Sequence, residues 1–233
     1  LVSDNSRVDQ FLEGNHGALN AQEQRGMGIF TGKGQCSKCH AGAETSSASA
    51  SSIQANGLVS GGDTGFFNTG VRRINDDLGI GASIGPLNLP LSAADPAGAQ
   101  GAFKTPGLRN VELTGPYMHN GGMATLEQVV DFYSRGGDFA KENAAVLSSR
   151  IKNLGLSADD KAALVAFLKA LTDERVRLER APFDHPELFV SNGSIGSTST
   201  ILADGTGNSV QDTIRVPAVG KSGVSAAPPN FLQ

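Results

Sequence analysis

The chain has 233 residues, enough for one domain with long insertions or two small ones. Thirty glycines and ten prolines predict an unusual share of irregular backbone. A net charge of −4 and a pI near 5.6 argue against a nucleic-acid-binding surface, which needs a basic face. No run of eighteen or so apolar residues predicts a membrane span.

The first predicted helix runs from about Ala21 to Thr31. Asn20 caps it, Glu23 occupies the third helical position and Gly32 ends it. Met27 and Phe30 supply a short apolar face. Gly26 and Gly28 weaken helix propensity, which points to a close neighbour such as a crossing helix or the edge of a large cofactor.

The chain then reads Cys36-Ser-Lys-Cys39-His40, which contains its only two cysteines. In a C-x-x-C-H pentad both thiols can add to the vinyl groups of one haem, and the adjacent imidazole can ligate the iron. The competing readings lack support. A thioredoxin-type motif needs a βαβ context, and a four-ligand zinc site needs a second Cys/His pair. His16, His119 and His185 are too scattered to supply that pair. One covalent haem c, held by Cys36, Cys39 and His40, is the expectation. Such attachment occurs outside the cytoplasmic membrane, so the expected location is periplasmic or extracellular. The chain opens at Leu1 with no Lys/Arg-led hydrophobic stretch, so a removed leader or longer N-terminal piece is expected.

Residues 43–63 are Ser/Ala/Gly-rich and residues 76–102 Gly/Pro/Ala-rich; both read as loop insertions. Within the second, Asp76-Asp77 reads as a solvated acidic turn. The second helix opens on the capping box Thr125-Leu-Glu-Gln128, with Leu126, Val129, Val130 and Tyr133 at helical spacing. Arg135 and Gly136-Gly137 close it, so Tyr133 falls on the buried face. A third helix starts at Ser157-Ala-Asp-Asp160 and turns Leu164, Phe167, Leu168 and Leu171 inward. The expected fold is mainly α: a cytochrome c-like haem domain over residues 1–190 and an irregular tail over 191–233, where Pro228-Pro229 prevents regular structure.

Three further stretches are more specific. Phe103-Lys-Thr-Pro-Gly-Leu-Arg-Asn110, then residues 113–122 (Leu-Thr-Gly-Pro-Tyr-Met-His-Asn-Gly-Gly), then residues 125–130 (Thr-Leu-Glu-Gln-Val-Val) resemble the C-terminal haem domain of bacterial di-haem cytochrome c peroxidases and their MauG-type relatives. The likeness runs from about Ser6 to the helix ending near Leu171. In that family one haem domain meets peroxide, while the C-terminal one carries a six-coordinate, electron-relaying haem. This chain looks like the second without the first.

The resemblance implies a sixth iron ligand. The peroxidases place a methionine in the helix after T-L-E-x-x-V, at the position of Tyr133, and the MauG-like enzymes place a tyrosine there. A phenolate donor would lower the haem potential. Met118 and Met123 are the alternatives on composition, and His119 ranks below them. The family also implies calcium at the backbone carbonyls of Thr114 and Pro116, an arrangement short of ligands in this chain. Arg109 is the candidate partner for a haem propionate, with Arg72 and Arg73 competing. His185, in a proline-bounded turn, reads as structural.

Two functions follow. The first is the electron-transfer half of a di-haem peroxidase or MauG-like oxidase. Its expected partners are a second haem-bearing domain or chain and a small redox donor or protein substrate. The second is a non-enzymatic mono-haem carrier or a subunit of a larger redox assembly.

Overall fold

A computed structural model describes residues 2–55, 63–92, 95–197 and 200–227. The chain divides into two compact units, Ser3–Asp173 and residues 174–227. Pro228-Pro229 lies outside the described residues.

The larger unit is built on four helices with helix-starting chemistry in the sequence. They are α1 (Arg7–Leu12), α2 (Ala21–Thr31), α4 (Leu126–Arg135) and α5 (Ala158–Ala170). Each begins with a complete capping box, on Ser6/Asp9, Asn20/Glu23, Thr125/Gln128 and Ser157/Asp160. The box satisfies amide hydrogens that the first helical turn leaves without partners. Gly136, at φ 91°, ends α4 in the left-handed conformation that glycine adopts most cheaply. A short helix α3 (Ala50–Ala55) lies in the first expected loop.

The core is one apolar cluster drawn from all four capped helices. It includes Val8, Ile29, Phe30, Leu126, Val130, Leu164, Phe167 and Leu168. Helices α2 and α5 cross at Gly26, where a Cβ would stand 2.0 Å from the Ala163 carbonyl oxygen and 2.7 Å from Phe167 Cβ. Gly28 has nothing within 4 Å of the equivalent point, so only Gly26 serves the crossing. Asp160 receives Arg25 (2.7 Å) and Lys33 (3.3 Å) from α2 and its following turn, and Lys161 meets Asp131 of α4 at 2.7 Å.

The expectation of a mainly α fold is corrected: helix accounts for 26% and strand for 15% of the protein, a mixed α/β composition. The strands are short antiparallel ribbons. In the larger unit β1 (Phe66–Phe67) pairs with β4 (Phe103–Lys104), and β2 (Ser83–Ile84) pairs with β3 (Leu89–Pro90) inside the second expected loop. The Gly/Pro-rich composition hid them because two-residue strands carry no measurable alternation.

The second unit comprises α6 (Glu174–Arg177), a ribbon of β5 (Leu188–Ser194) with β8 (Gln211–Val216), and a smaller one of β6 (Gly196–Ser197) with β7 (Thr200–Ile201). The larger unit ends at Asp173, and within residues 191–227 the chain includes paired strand at 191–194, 196–197, 200–201 and 211–216. His185 exchanges backbone hydrogen bonds with Val219 within this unit.

Candidate haem site

The turn after α2 aims the C-x-x-C-H motif inward. Gly34 N–H bonds to the Ile29 carbonyl, and Gln35 takes a left-handed φ of 55°. Cys36–Lys38 then form a single 3₁₀ turn. The Cys39 and His40 amides both close on the Cys36 carbonyl, at 3.1 and 2.9 Å, which packs the pentad into one compact loop. Neither cysteine is in a disulfide.

That loop borders a cavity of about 410 Å³, within the size range of cofactor pockets. Its walls are largely apolar, with Leu108, Val111, Leu126, Val130, Leu164 and Leu168 among them. Cys36, Cys39, His40, Tyr133, Thr114, Pro116, Met118 and His119 all line this one cavity. Met123 and Arg109 do not.

His40 is oriented by two loops. Its Nδ1–H donates to the carbonyls of Thr45 and Pro106, each at 3.1 Å. This fixes the tautomer and leaves Nε2 for a metal. Burial pushes the imidazole pKa down, against the opposing pull of those two carbonyls, and favours the neutral form a metal binds. The same loops are held by Ser46 Oγ donating to the Thr105 carbonyl (2.6 Å) and the Leu108 amide donating to Thr45 Oγ1 (2.6 Å).

Burial pushes the Cys36 thiol up to about 11 and raises Cys39 as well, although the nearby Arg150 cation lowers the latter. Tyr133 is half-buried by virtue of facing the cavity. Burial, then the two neighbouring cysteines, raises its phenol strongly, opposed by the Thr69 hydroxyl. Helix α4 presents Phe132 and Ser134 to the protein interior and Val129 and Tyr133 to the cavity, so its apolar face is wider than the spacing alone suggests.

Other expected residues lie in different surroundings. Arg109 forms a two-pronged pair with Asp9 (2.8 Å to each carboxylate oxygen) and donates to the carbonyls of Ser3 and Ala43, so its guanidinium is fully engaged away from the cavity. Met123 is buried, and its backbone bridges Tyr117. His119 stacks on Phe103 at 3.6 Å and bonds Asp77 at 3.1 Å. Arg72 approaches Asp76 at 3.8 Å, and Arg73 lies over Phe139. The acidic turn is thus matched to an arginine and a histidine.

Sequence reasoning missed Lys104, Arg150 and Lys152, three cations that line the cavity. Arg150 and Lys152 sit in an irregular stretch before α5 with no motif around them; Lys104 lies inside the F-K-T-P segment and was legible there.

The donor set fits a haem c. Two free thiols suit thioether bonds, a neutral imidazole suits iron, apolar walls suit the macrocycle, and cations suit its carboxylates. The expected calcium position has only the Thr114 and Pro116 carbonyls to offer here, short of the roughly six to eight oxygens calcium takes.

No protein-family model matches the chain. Individual proteins do. A cytochrome-c peroxidase, IdrP2, of Denitromonas iodatirespirans is 37% identical over 193 residues, covering 75% of this chain and 46% of that protein. The methylamine utilization protein MauG of Methylorubrum extorquens is 33% identical over 174 residues, 75% of this chain and 41% of that protein. A crystal structure of a MauG-like protein associated with microbial copper homeostasis superposes with a TM-score of 0.60 at 35% identity, over 78% of this chain and 55% of the other. The chain spans about half the length of the relatives it matches. With its C-x-x-C-H loop set against this apolar cavity, this chain belongs to the family of di-haem cytochrome c peroxidases and MauG.

Proposed function

We propose that the chain is the electron-transfer half of a di-haem peroxidase or MauG-like oxidase, carrying one covalent haem c. The observation that carries this reading is the convergence of two free thiols, an imidazole with Nδ1 already bonded, and the Tyr133 phenol on one apolar cavity. Haem c supplies one-electron redox chemistry at iron. Cys36 and Cys39 would each add S–H across a vinyl group and fix the macrocycle. His40 would ligate the iron through Nε2, and Tyr133 through its phenolic oxygen. The leucine and valine walls exclude water, which strengthens the influence of every nearby charge on the iron. Met118, on the same cavity, is the alternative sixth ligand.

With His40 and Tyr133 both holding the iron, no coordination position would remain for peroxide. The peroxide-binding haem then belongs to a second domain or chain, and a small redox protein or protein substrate completes the electron path. Covalent haem attachment assigns the protein to the periplasm or exterior; among the described residues no helix is long and apolar enough to cross a membrane.

The test is spectroscopic and catalytic. Haem should survive acid–acetone extraction, and the denatured holoprotein should contain no titratable thiol. Tyr133→Phe keeps the ring and removes the donor oxygen, so the ferric spectrum should lose low-spin character or change ligand. An unchanged spectrum and potential would remove Tyr133 as a ligand and turn attention to Met118. The isolated chain should not turn over peroxide, whereas its assembly with a second haem-bearing polypeptide should. Efficient turnover by the isolated chain would overturn the proposal, and a native particle holding this haem alone would favour a mono-haem carrier.

A further inference from the structure

We propose that Arg150, Lys104 and Lys152 form the seat for the two carboxylates of the bound haem. This rests on the haem reading above and assigns the part of the cofactor that the thiols and axial ligands leave unpartnered.

The first observation is the charge pattern of the cavity. Lys104, Arg150 and Lys152 line it, and no aspartate or glutamate does. A cavity mouth lined by three exposed cations and, among the described residues, no carboxylate is positive, which favours an anionic group there. A haem brings two carboxylates at one edge of an otherwise apolar disc, which matches this combination.

The second observation is their lack of protein partners. Among the described residues none of the three forms an ion pair, and the Lys104 ammonium meets only the Thr105 carbonyl, at 3.4 Å. Several cations elsewhere on the same unit are paired, among them Arg7 with Glu23, Lys33 with Asp160 and Arg109 with Asp9. The engagement of Arg109 also removes the guanidinium that the sequence offered for this role.

The third observation is placement. Lys104 lies on β4 opposite Phe66, and the Arg150 guanidinium stands 5.7 Å from the ring centroid of Phe67 on the paired strand β1. Both charges thus stand beside this ribbon, Lys104 on it and Arg150 against it, with Lys152 two residues beyond Arg150. All three residues are exposed, so the carboxylates would sit at the water-accessible mouth while the macrocycle lies within. A planar guanidinium can grip one carboxylate through two hydrogen bonds, and the ammonium groups serve the other as point charges.

The test uses the haem-loaded full chain and compares Arg150→Leu, Arg150→Lys, the double variant Lys104→Gln/Lys152→Gln, and Lys33→Gln as a cation outside the cavity. The readouts are the propionate-bending band in the resonance Raman spectrum and the reduction potential as a function of pH. Arg150→Leu and the lysine double variant should each shift the bending band. Both should lower the potential, because a lost cation no longer favours the more negative reduced haem. The Arg150→Lys protein should keep most of the wild-type potential while its bending band shifts less than in Arg150→Leu, because an ammonium keeps the charge but not the two-pronged grip; Lys33→Gln should change neither. An unmoved bending band overturns the proposal, even if the potential falls, since a distant field alone would produce that fall. Should wild-type protein lack the c-type pyridine haemochrome, the haem reading itself fails; a normal haemochrome with unmoved bands refutes only the carboxylate seat.

Discussion

Gly26 and Gly28 lie two residues apart on α2 but in opposite surroundings, and alanine substitution should separate them. At Gly26 the new methyl would stand 2.0 Å from a carbonyl oxygen and 2.7 Å from a β-carbon of α5. Neither obstacle is the end of a flexible side chain, so α2 and α5 must move apart. Overpacking of this kind costs about 1–3 kcal/mol, and the helix-propensity gain of alanine over glycine, up to about 1 kcal/mol, offsets only part. At Gly28 the methyl meets nothing within 4 Å on an exposed helical position, leaving a gain of about 0.5–1 kcal/mol. For a unit of this size 1 kcal/mol moves the melting temperature by about 2–4 °C. Thermal and urea unfolding of the holoprotein, followed by circular dichroism, should therefore move in opposite directions for the two variants. If Gly26→Ala is as stable as wild type, or the two variants shift together, the crossing is not as tight as described.

Arg109→Leu should destabilise the protein by about 1.5–3 kcal/mol, the scale of hydrogen bonds to a charged partner. Burial raises the Asp9 pKa, but hydrogen bonds from Arg109 and Ser6 outweigh it and hold the carboxyl below its usual value. A depressed folded-state pKa contributes stability that is complete above the unfolded value of about 3.9 and is lost as pH falls through the folded one. Urea midpoints of wild type and variant should therefore converge in acid, and a constant gap down to pH 2 would exclude Asp9 as the source. Asn143 is 1% exposed and joins the Asn68 side chain, the Arg72 carbonyl and the Ile74 amide. Asn143→Leu should cost at least about 2 kcal/mol by stranding buried polar groups; an unaltered urea midpoint would show that water replaces the amide freely.

The parts legible in the sequence are those whose causes are local. Asn20, Thr125 and Ser157 announced their helices because a capping box needs only four consecutive residues. The box at Ser6 and Asp9 escaped notice because α1 is only six residues long, with Val8 its one buried position. The C-x-x-C-H pentad was legible for the same local reason. The ribbon of Phe66–Phe67 with Phe103–Lys104 was not, since its partners lie far apart in sequence and two residues show no alternation. Leu188–Ser194 failed differently: every residue in it is exposed, so no buried face imposed a period on the composition. Arg109 was read toward a propionate because sequence shows an arginine's presence, while only the fold reveals Asp9 within reach.

The imidazole of His40 is anchored by carbonyls from two stretches far apart in the chain, one five residues downstream and the other sixty-six. Before Pro106 arrives, only the nearer carbonyl can hold the ring, and its tilt is free. In the proposed haem-loaded chain the two thiols and His40 sit in one local loop, whereas the final ring angle also depends on Pro106, brought in from far along the chain. Holding the haem and tuning its iron would then rest on different parts of the larger unit. A lesion in residues 105–108 would yield a protein that keeps its colour yet has an unsettled axial field.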